Sequence, residues 1–201
     1  IETMANAGRI VADTIALIGE NLRPGVTTAE LDELADDYIR SQGGTSSFLG
    51  YRGYPASICT SSNDVVVHGI PDGTALSEGD ILSVDVGVIL DGFVADSAYT
   101  FPVGEISSEA ERLLEGCQLA LAAGIAQCRA GNRLSDVSHA VQTATEEAGF
   151  SVVRSLVGRF RVRRERPAKE AGAKDLRGAR GNEIAPVERR DDPIRPDALD
   201  R

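Results

Sequence analysis

The stretch SVDVGVILDGFVADSAYTF, residues 83–101, carries two aspartates on two β-patterned arms joined by Asp91-Gly92. Asp-Gly between alternating apolar runs signals a tight hairpin turn. With those two residues at the tip, Asp85 falls opposite Ala98 and Asp96 opposite Gly87. Side chains alternate faces along a strand, so Asp85, Ala98 and Asp96 share one face. The two carboxylates are then diagonal neighbours, ~7–8 Å apart at the backbone. Val84, Val86, Val88 and Leu90 take the opposite face and are expected to pack on helices. Like charges this close call for a shared proton or a cation between them. Divalent ions, hard or borderline, accept such oxygen ligands, and two of them ~3.5–4 Å apart can drive hydrolysis through a shared oxygen. Two solvated acids flanking a turn are the competing reading at this point.

Outward from the hairpin the chain reads as helices and short strands. Residues 2–21 have a helical stripe at Met4, Ile10, Val11, Leu17 and Ile18, stopped by Arg23-Pro24-Gly25. Thr27 and Glu30 form a capping box, followed at helical spacing by Leu31, Leu34, Ala35, Tyr38 and Ile39. Gly43-Gly44 ends that run. Residues 57–60 and 64–68 read as short strands. Ser108 with Glu111 opens a long helix to about Cys128. Ser135 opens another, with Val137, Ala140, Val141 and Ala144 on one face and Gly149 as its stop. Residues 150–158, FSVVRSLVG, read as a buried strand. RPGVTTAEL at 23 also aligns with RAGNRLSDV at 129, and Gly43 maps onto Gly149 at the same spacing. Two such helix-helix-strand units make a pseudo-symmetric α/β domain.

Charge divides the chain sharply. Residues 1–158 hold 8 Arg, no Lys and 22 acids, a net of −14; residues 159–201 hold 11 Arg, 2 Lys and 9 acids, a net of +4. The acidic body argues against nonspecific nucleic-acid binding. The tail has few large apolar residues and no sustained period, a composition that cannot bury enough surface to offset its ordering entropy. No apolar run approaches the ~18 residues of a membrane span, and no secretory signal pattern is visible. Cys59, Cys117 and Cys128 have no paired spacing, which suits a reducing compartment. The first residue is Ile1, so the natural start is expected upstream.

Ahead of the hairpin stands GYRGYPASICTSSNDVVVHGIPDG, residues 50–73, with His68 in a loop that can face a cleft. This run, the linker SEGDILSVDVG and the spaced aspartates together resemble type I methionine aminopeptidases over about residues 2–158. The resemblance implies the pita-bread α/β (α+β) fold, two pseudo-symmetric halves around a sheet. It implies metal-dependent removal of the initiator methionine from nascent polypeptides by a cytoplasmic monomer, with no nucleic acid or membrane as partner. Two divalent ions (cobalt, manganese, iron or zinc) are implied as cofactors, carrying the hydroxide that attacks the first peptide bond, with Asp85 and Asp96 among their ligands. His68 is implied as the catalytic, substrate-contacting residue, and Tyr51, Tyr54 and Cys59 as the lining of the methionine pocket. Aromatic rings and a sulfur suit a flexible thioether. His139, Cys117 and Cys128 match no ligand motif and read as structural.

The pattern fails at residue 159. The family continues with Gly-His-Gly, and here Gly158 is followed by Arg159, a permanently protonated side chain that cannot ligate a cation. The expectation is therefore an incomplete aminopeptidase domain over 1–158, impaired by the loss of three ligands. Residues 159–201 form a tail of unrelated composition, disordered or translated out of frame. A non-catalytic module of the same fold is one rival. A metallopeptidase of the proline-dipeptidase type, lacking the GYRGYP…C pocket, is the other.

Overall fold

The computed structural model describes residues 1–153 and 162–163. In chain order these form α1 (Glu2–Asn21), α2 (Thr28–Ser41), β1 (Thr45–Ser46), β2 (Ile58–Ser62), β3 (Ile81–Leu90) and β4 (Phe93–Pro102). Then come α3 (Ser108–Gln127), α4 (Leu134–Glu147), β5 (Ser151–Val152) and β6 (Val162–Arg163). The arms of the opening stretch are β3 and β4. Asp91 and Gly92 both take positive φ, 49° and 81°, the backbone of a two-residue turn that matches strand twist.

β3 is the centre of an antiparallel sheet. β4 runs along one edge, from Leu90↔Phe93 to Ile81↔Pro102. The other edge is shared by β1, at Thr45↔Ile89, and β2, from Ile58↔Val86 to Ser62↔Leu82. One sheet face turns Leu82, Val84, Val86 and Val88, all fully buried, onto Ile18 of α1 and Leu31, Ala35 and Ile39 of α2. Burying each such side chain is worth about 1.5–3 kcal/mol, so the alternation in β3 locks the opposite face toward the carboxylate side. Thr14 is tolerated in the buried stripe of α1 because its hydroxyl donates to the Ile10 carbonyl at 2.7 Å. At the start of α2 the capping box closes as the spacing predicts: Thr27 Oγ1 accepts from Glu30 N, and the Glu30 carboxylate accepts from Thr27 N at 2.7 Å.

The internal repeat is present element by element. The pair α1 and α2 recurs as α3 and α4 with the same lengths, 106 residues later (2 to 108, 28 to 134), and β1 recurs as β5 (45 to 151). Gly25 and Gly131 have φ of 92° and 97°, and Gly43 and Gly149 of 78° and 85°. The chain therefore uses the same left-handed stops, which glycine adopts without strain, in both units.

Several local expectations are corrected. Residues 64–68 form no strand: Asn63 and His68 take positive φ, and the exposed Val65 and Val66 sit in a turn anchored by Val65 N donating to Ser62 O. The β-branched composition lacked a ladder partner. Met4 lies outside the buried stripe of α1, which runs through Ala7, Ile10, Val11, Thr14 and Ile18. Ser107, one residue earlier than expected, caps α3 by accepting from Ala110 N. α4 opens at Leu134, with Asp136 accepting from Arg133 N at 2.7 Å. Cys128 is exposed at the end of α3 rather than packed. The strand expected at 150–158 is described only as β5, half-buried and paired with β6. The position of Arg159, the domain boundary at 158 and the character of the 159–201 tail lie outside the described residues.

Candidate metal and substrate site

The register sets the candidate site. Cys59 of β2 stands opposite Asp85 of β3, which stands opposite Ala98 of β4. Three strands thus present Cys59, Asp85 and Ala98 in one row on the face away from the helices. Asp96, opposite Gly87, lies diagonal to Asp85 on the same face. The hairpin geometry predicted from the sequence is the geometry observed. The two acids differ in surroundings: Asp85 Oδ1 is shielded from solvent, while Asp96 is exposed on the outer strand.

Gly87 has a specific reason to be glycine. A Cβ there would overlap Ser47 Oγ and crowd Phe48 Cε1 at 2.8 Å, the close approach that a glycine inside a strand signals. The Phe48 ring therefore covers the strip of sheet between the two aspartates. It also meets Tyr54 edge-on, with centroids 6.5 Å apart. Phe48 is a neighbour of the two aspartates that the sequence reading passed over. Its only clue was a glycine in mid-strand, whose partner across space no local pattern reveals.

Tyr54 is half-buried, and its hydroxyl lies 3.1 Å from the Ile58 carbonyl and 2.9 Å from that of Gly69. Burial, reinforced by Cys59, Asp32 and Asp85 nearby, pushes the phenol well above its ordinary range, so it stays a neutral donor. This side chain ties the 50–54 turn to the start of β2 and to the residue beside His68. Tyr54→Phe is expected to cost about 1 kcal/mol, the typical net worth of one such bond, read as a shift in urea midpoint with unchanged slope. A full-strength Tyr54→Phe variant would show that the bridge contributes nothing.

His68 itself is exposed with φ 57°, a left-handed conformation uncommon outside glycine. It is held there by Gly69, whose carbonyl accepts from Thr60 N at 2.9 Å and whose N–H donates to Ser61 Oγ at 3.2 Å. Tyr51 is different. It is 64% exposed, with the Arg52 guanidinium 5.5 Å from its ring centroid. The structure thus gathers Cys59, Tyr54, Phe48, Asp85 and Asp96 around one sheet face, with His68 on a tethered loop and Tyr51 exposed on the 50–54 turn. His139 is exposed on α4, far along the chain from any ligand pattern.

Two carboxylates on one face fit a hard divalent cation in kind and in placement. They do not complete a site: among the described residues no group of three or more His, Cys, Asp or Glu side chains could hold a metal ion. The donor set fits as part of a larger one.

The model of metallopeptidase family M24 matches residues 2–167. The chain belongs to metallopeptidase family M24. Within this M24 family it is 48% identical over 159 residues to a methionine aminopeptidase of Clostridium acetobutylicum, covering 79% of this chain and 64% of that one. It is 47% identical over 155 residues to methionine aminopeptidase 1 of Bacillus subtilis, covering 77% of this chain and 62% of the relative. The crystal structure of a methionine aminopeptidase from Thermotoga maritima superposes with a TM-score of 0.76 at 36% identity, over 83% of this chain and 68% of that one. The fold is the pita-bread arrangement of M24 proteins, and the M24 chain spans less than two thirds of the curated relatives it matches. No helix among the described residues is long and apolar enough to cross a membrane.

Proposed function

We propose that this M24 chain carries the methionine-recognition half of a cytoplasmic, monomeric aminopeptidase that removes initiator methionine from nascent polypeptides. The observation that carries this reading is the register placing Asp85 and Asp96 on one face beside Cys59. Asp85 and Asp96 would hold two divalent ions together with ligands from elsewhere. When bound, such ions supply Lewis-acid polarisation of the scissile carbonyl. The chain's own residues do the rest. Tyr54, Cys59 and Phe48 take up the thioether side chain and exclude water from it. His68, on its tethered loop, contacts the substrate next to the bond to be cut, and Tyr51 closes the outer rim. The pocket is the feature that a proline-dipeptidase type of enzyme was expected to lack.

The chain by itself is a weak metal binder with little turnover, because two carboxylates are what its aminopeptidase-like body, residues 1–158, contributes and Arg159 stands where a histidine ligand is expected. Mn²⁺ titration followed by electron paramagnetic resonance is expected to show weak binding that Asp85→Asn lowers at least about tenfold, in line with the loss of a charged oxygen ligand. Metal-loaded protein is expected to leave a Met-Ala peptide essentially uncut. Rapid release of methionine would overturn the impairment, and an unchanged Mn²⁺ titration in Asp85→Asn would overturn the carboxylate assignment.

A further inference from the structure

Two rows of side chains cross the carboxylate face of the sheet, and the second has a member without a role. The first row is Cys59, Asp85 and Ala98. In the second, Gly87 of β3 stands opposite Asp96 of β4, and on its other flank Ser47 N donates to the Gly87 carbonyl at 3.0 Å. That bond carries the β1 register, Thr45↔Ile89 and Ser46↔Val88, one residue further. It also shows that the Gly87 backbone groups point toward β1. Gly87 and Asp96 are therefore a pair of the non-hydrogen-bonded kind, with Cα atoms ~4.5 Å apart and side-chain positions at their closest.

Gly87 lacks the side chain that would separate its two neighbours. A Cβ there would point to the carboxylate face and overlap Ser47 Oγ, so the Ser47 hydroxyl itself occupies the place of a side chain at position 87. Phe48 Cε1, 2.8 Å from the same point, borders the slot. Gly87 is not among the residues of positive φ, so space rather than backbone conformation requires a glycine. Directly opposite Cβ positions lie ~4.5–5.5 Å apart, a span that a hydroxyl on one side and a carboxylate on the other can close. Both groups are uncommitted: among the described residues neither Ser47 Oγ nor the Asp96 carboxylate has a hydrogen-bond or ion-pair partner. Asp85 Oδ1 is shielded by its surroundings, whereas Asp96 is exposed and needs a donor to fix its orientation.

We propose that Ser47 is a positioning residue of the candidate metal site: its hydroxyl donates to one oxygen of the Asp96 carboxylate and turns the other toward Asp85 and the cation they share. This role rests on the carboxylate reading of Asp85 and Asp96, and adds to it the group that aims the exposed ligand. Hydrogen bonds to ligating side chains set their direction, and loss of one typically weakens a metal site ~10–100-fold.

Mn²⁺ titration of the 201-residue protein, followed by electron paramagnetic resonance, reads the effect. Ser47→Ala is expected to weaken binding about tenfold. Its urea midpoint in EDTA is expected to match the parent, because the hydroxyl makes no bond within the described fold. Moving the hydroxyl is the decisive step. Ser47→Ala with Gly87→Ser removes the overlapping oxygen and supplies one to the same slot from β3. This pair is expected to return the affinity to within about threefold of the parent. Ser47→Ala with Gly87→Ala fills the slot with a methyl and no donor, and is expected to stay at the weakened value. Asp85→Asn separates the two readings. If it lowers the affinity and Ser47→Ala does not, the positioning role is overturned and the carboxylate assignment stands. If Asp85→Asn leaves the titration unchanged, both fall. Equal recovery in the two double variants, or a urea midpoint that drops with Ser47→Ala, assigns the residue to packing and overturns the proposal.

Discussion

Gly69→Ala is expected to lower stability by about 3 kcal/mol, near the upper end for forcing extra volume into a packed site. A methyl at this position would overlap the Thr60 carbonyl oxygen, and would stand 2.8 Å from the Thr60 carbonyl carbon and 3.1 Å from Ser61 Cα. All three are backbone atoms of β2, so no flexible side chain can move aside. The loop must lift, losing the bonds that Gly69 makes with Thr60, Ser61 and Tyr54. His68, the neighbouring residue, would lose the tether that holds its left-handed backbone, so the candidate substrate-contacting residue is displaced by the same change. Urea unfolding checks the magnitude. Gly73→Ala is the control: nothing lies within 4 Å of a methyl there, and its cost is expected to stay within about 0.5 kcal/mol. Equal stabilities for the two variants would show that the 64–69 loop is not seated on β2.

Asp32→Ala is expected to cost about 2–4 kcal/mol, because Asp32 Oδ1 accepts from two backbone donors, Ser57 N at 2.9 Å and Ile58 N at 2.8 Å. Both residues are buried, and a buried N–H left without an acceptor costs about 1–3 kcal/mol. With Asp36, which accepts from Ser57 Oγ at 2.7 Å, this side chain ties α2 to the start of β2, the strand that presents Cys59. The carboxyl has a raised pKa, chiefly through burial and in part through Asp36 and Glu33, with the two N–H bonds acting the other way. A carboxyl that holds its proton more tightly when folded contributes stability below its usual value of 3.8. That contribution falls away as pH rises through the raised value. Asp32→Asn keeps an acceptor oxygen and carries no charge. It is expected to remove this decline between acid and neutral pH while staying within about 1 kcal/mol of the parent at pH 7. Thermal melts from pH 3.5 to 7 separate the two variants. A decline of the same size in Asp32→Asn would assign it to other groups.

Much of the fold was legible along the chain because its signals are local. The Asp91-Gly92 turn sets strand register, and register sets which side chains share a face. Thr27 with Glu30 marks a helix start within four residues. Even the repeat shows through its glycine stops, since a left-handed stop needs the same residue in each unit. The strand expected at 64–68 failed for want of a partner: the valines of 65–67 have strand chemistry, but a strand exists only when another one pairs with it.

The alternation and turn chemistry of residues 83–101 by themselves determined that Asp85 and Asp96 face the same way, since side-chain direction in a hairpin follows from backbone geometry alone. Only the tertiary structure decided what surrounds them. Phe48 over Gly87, Tyr54 bonded to Gly69 and Asp32 bonded to the start of β2 all depend on contacts between segments distant in the chain. Such contacts arise from packing in three dimensions, where volume and hydrogen-bond satisfaction select among arrangements that the local pattern leaves equal.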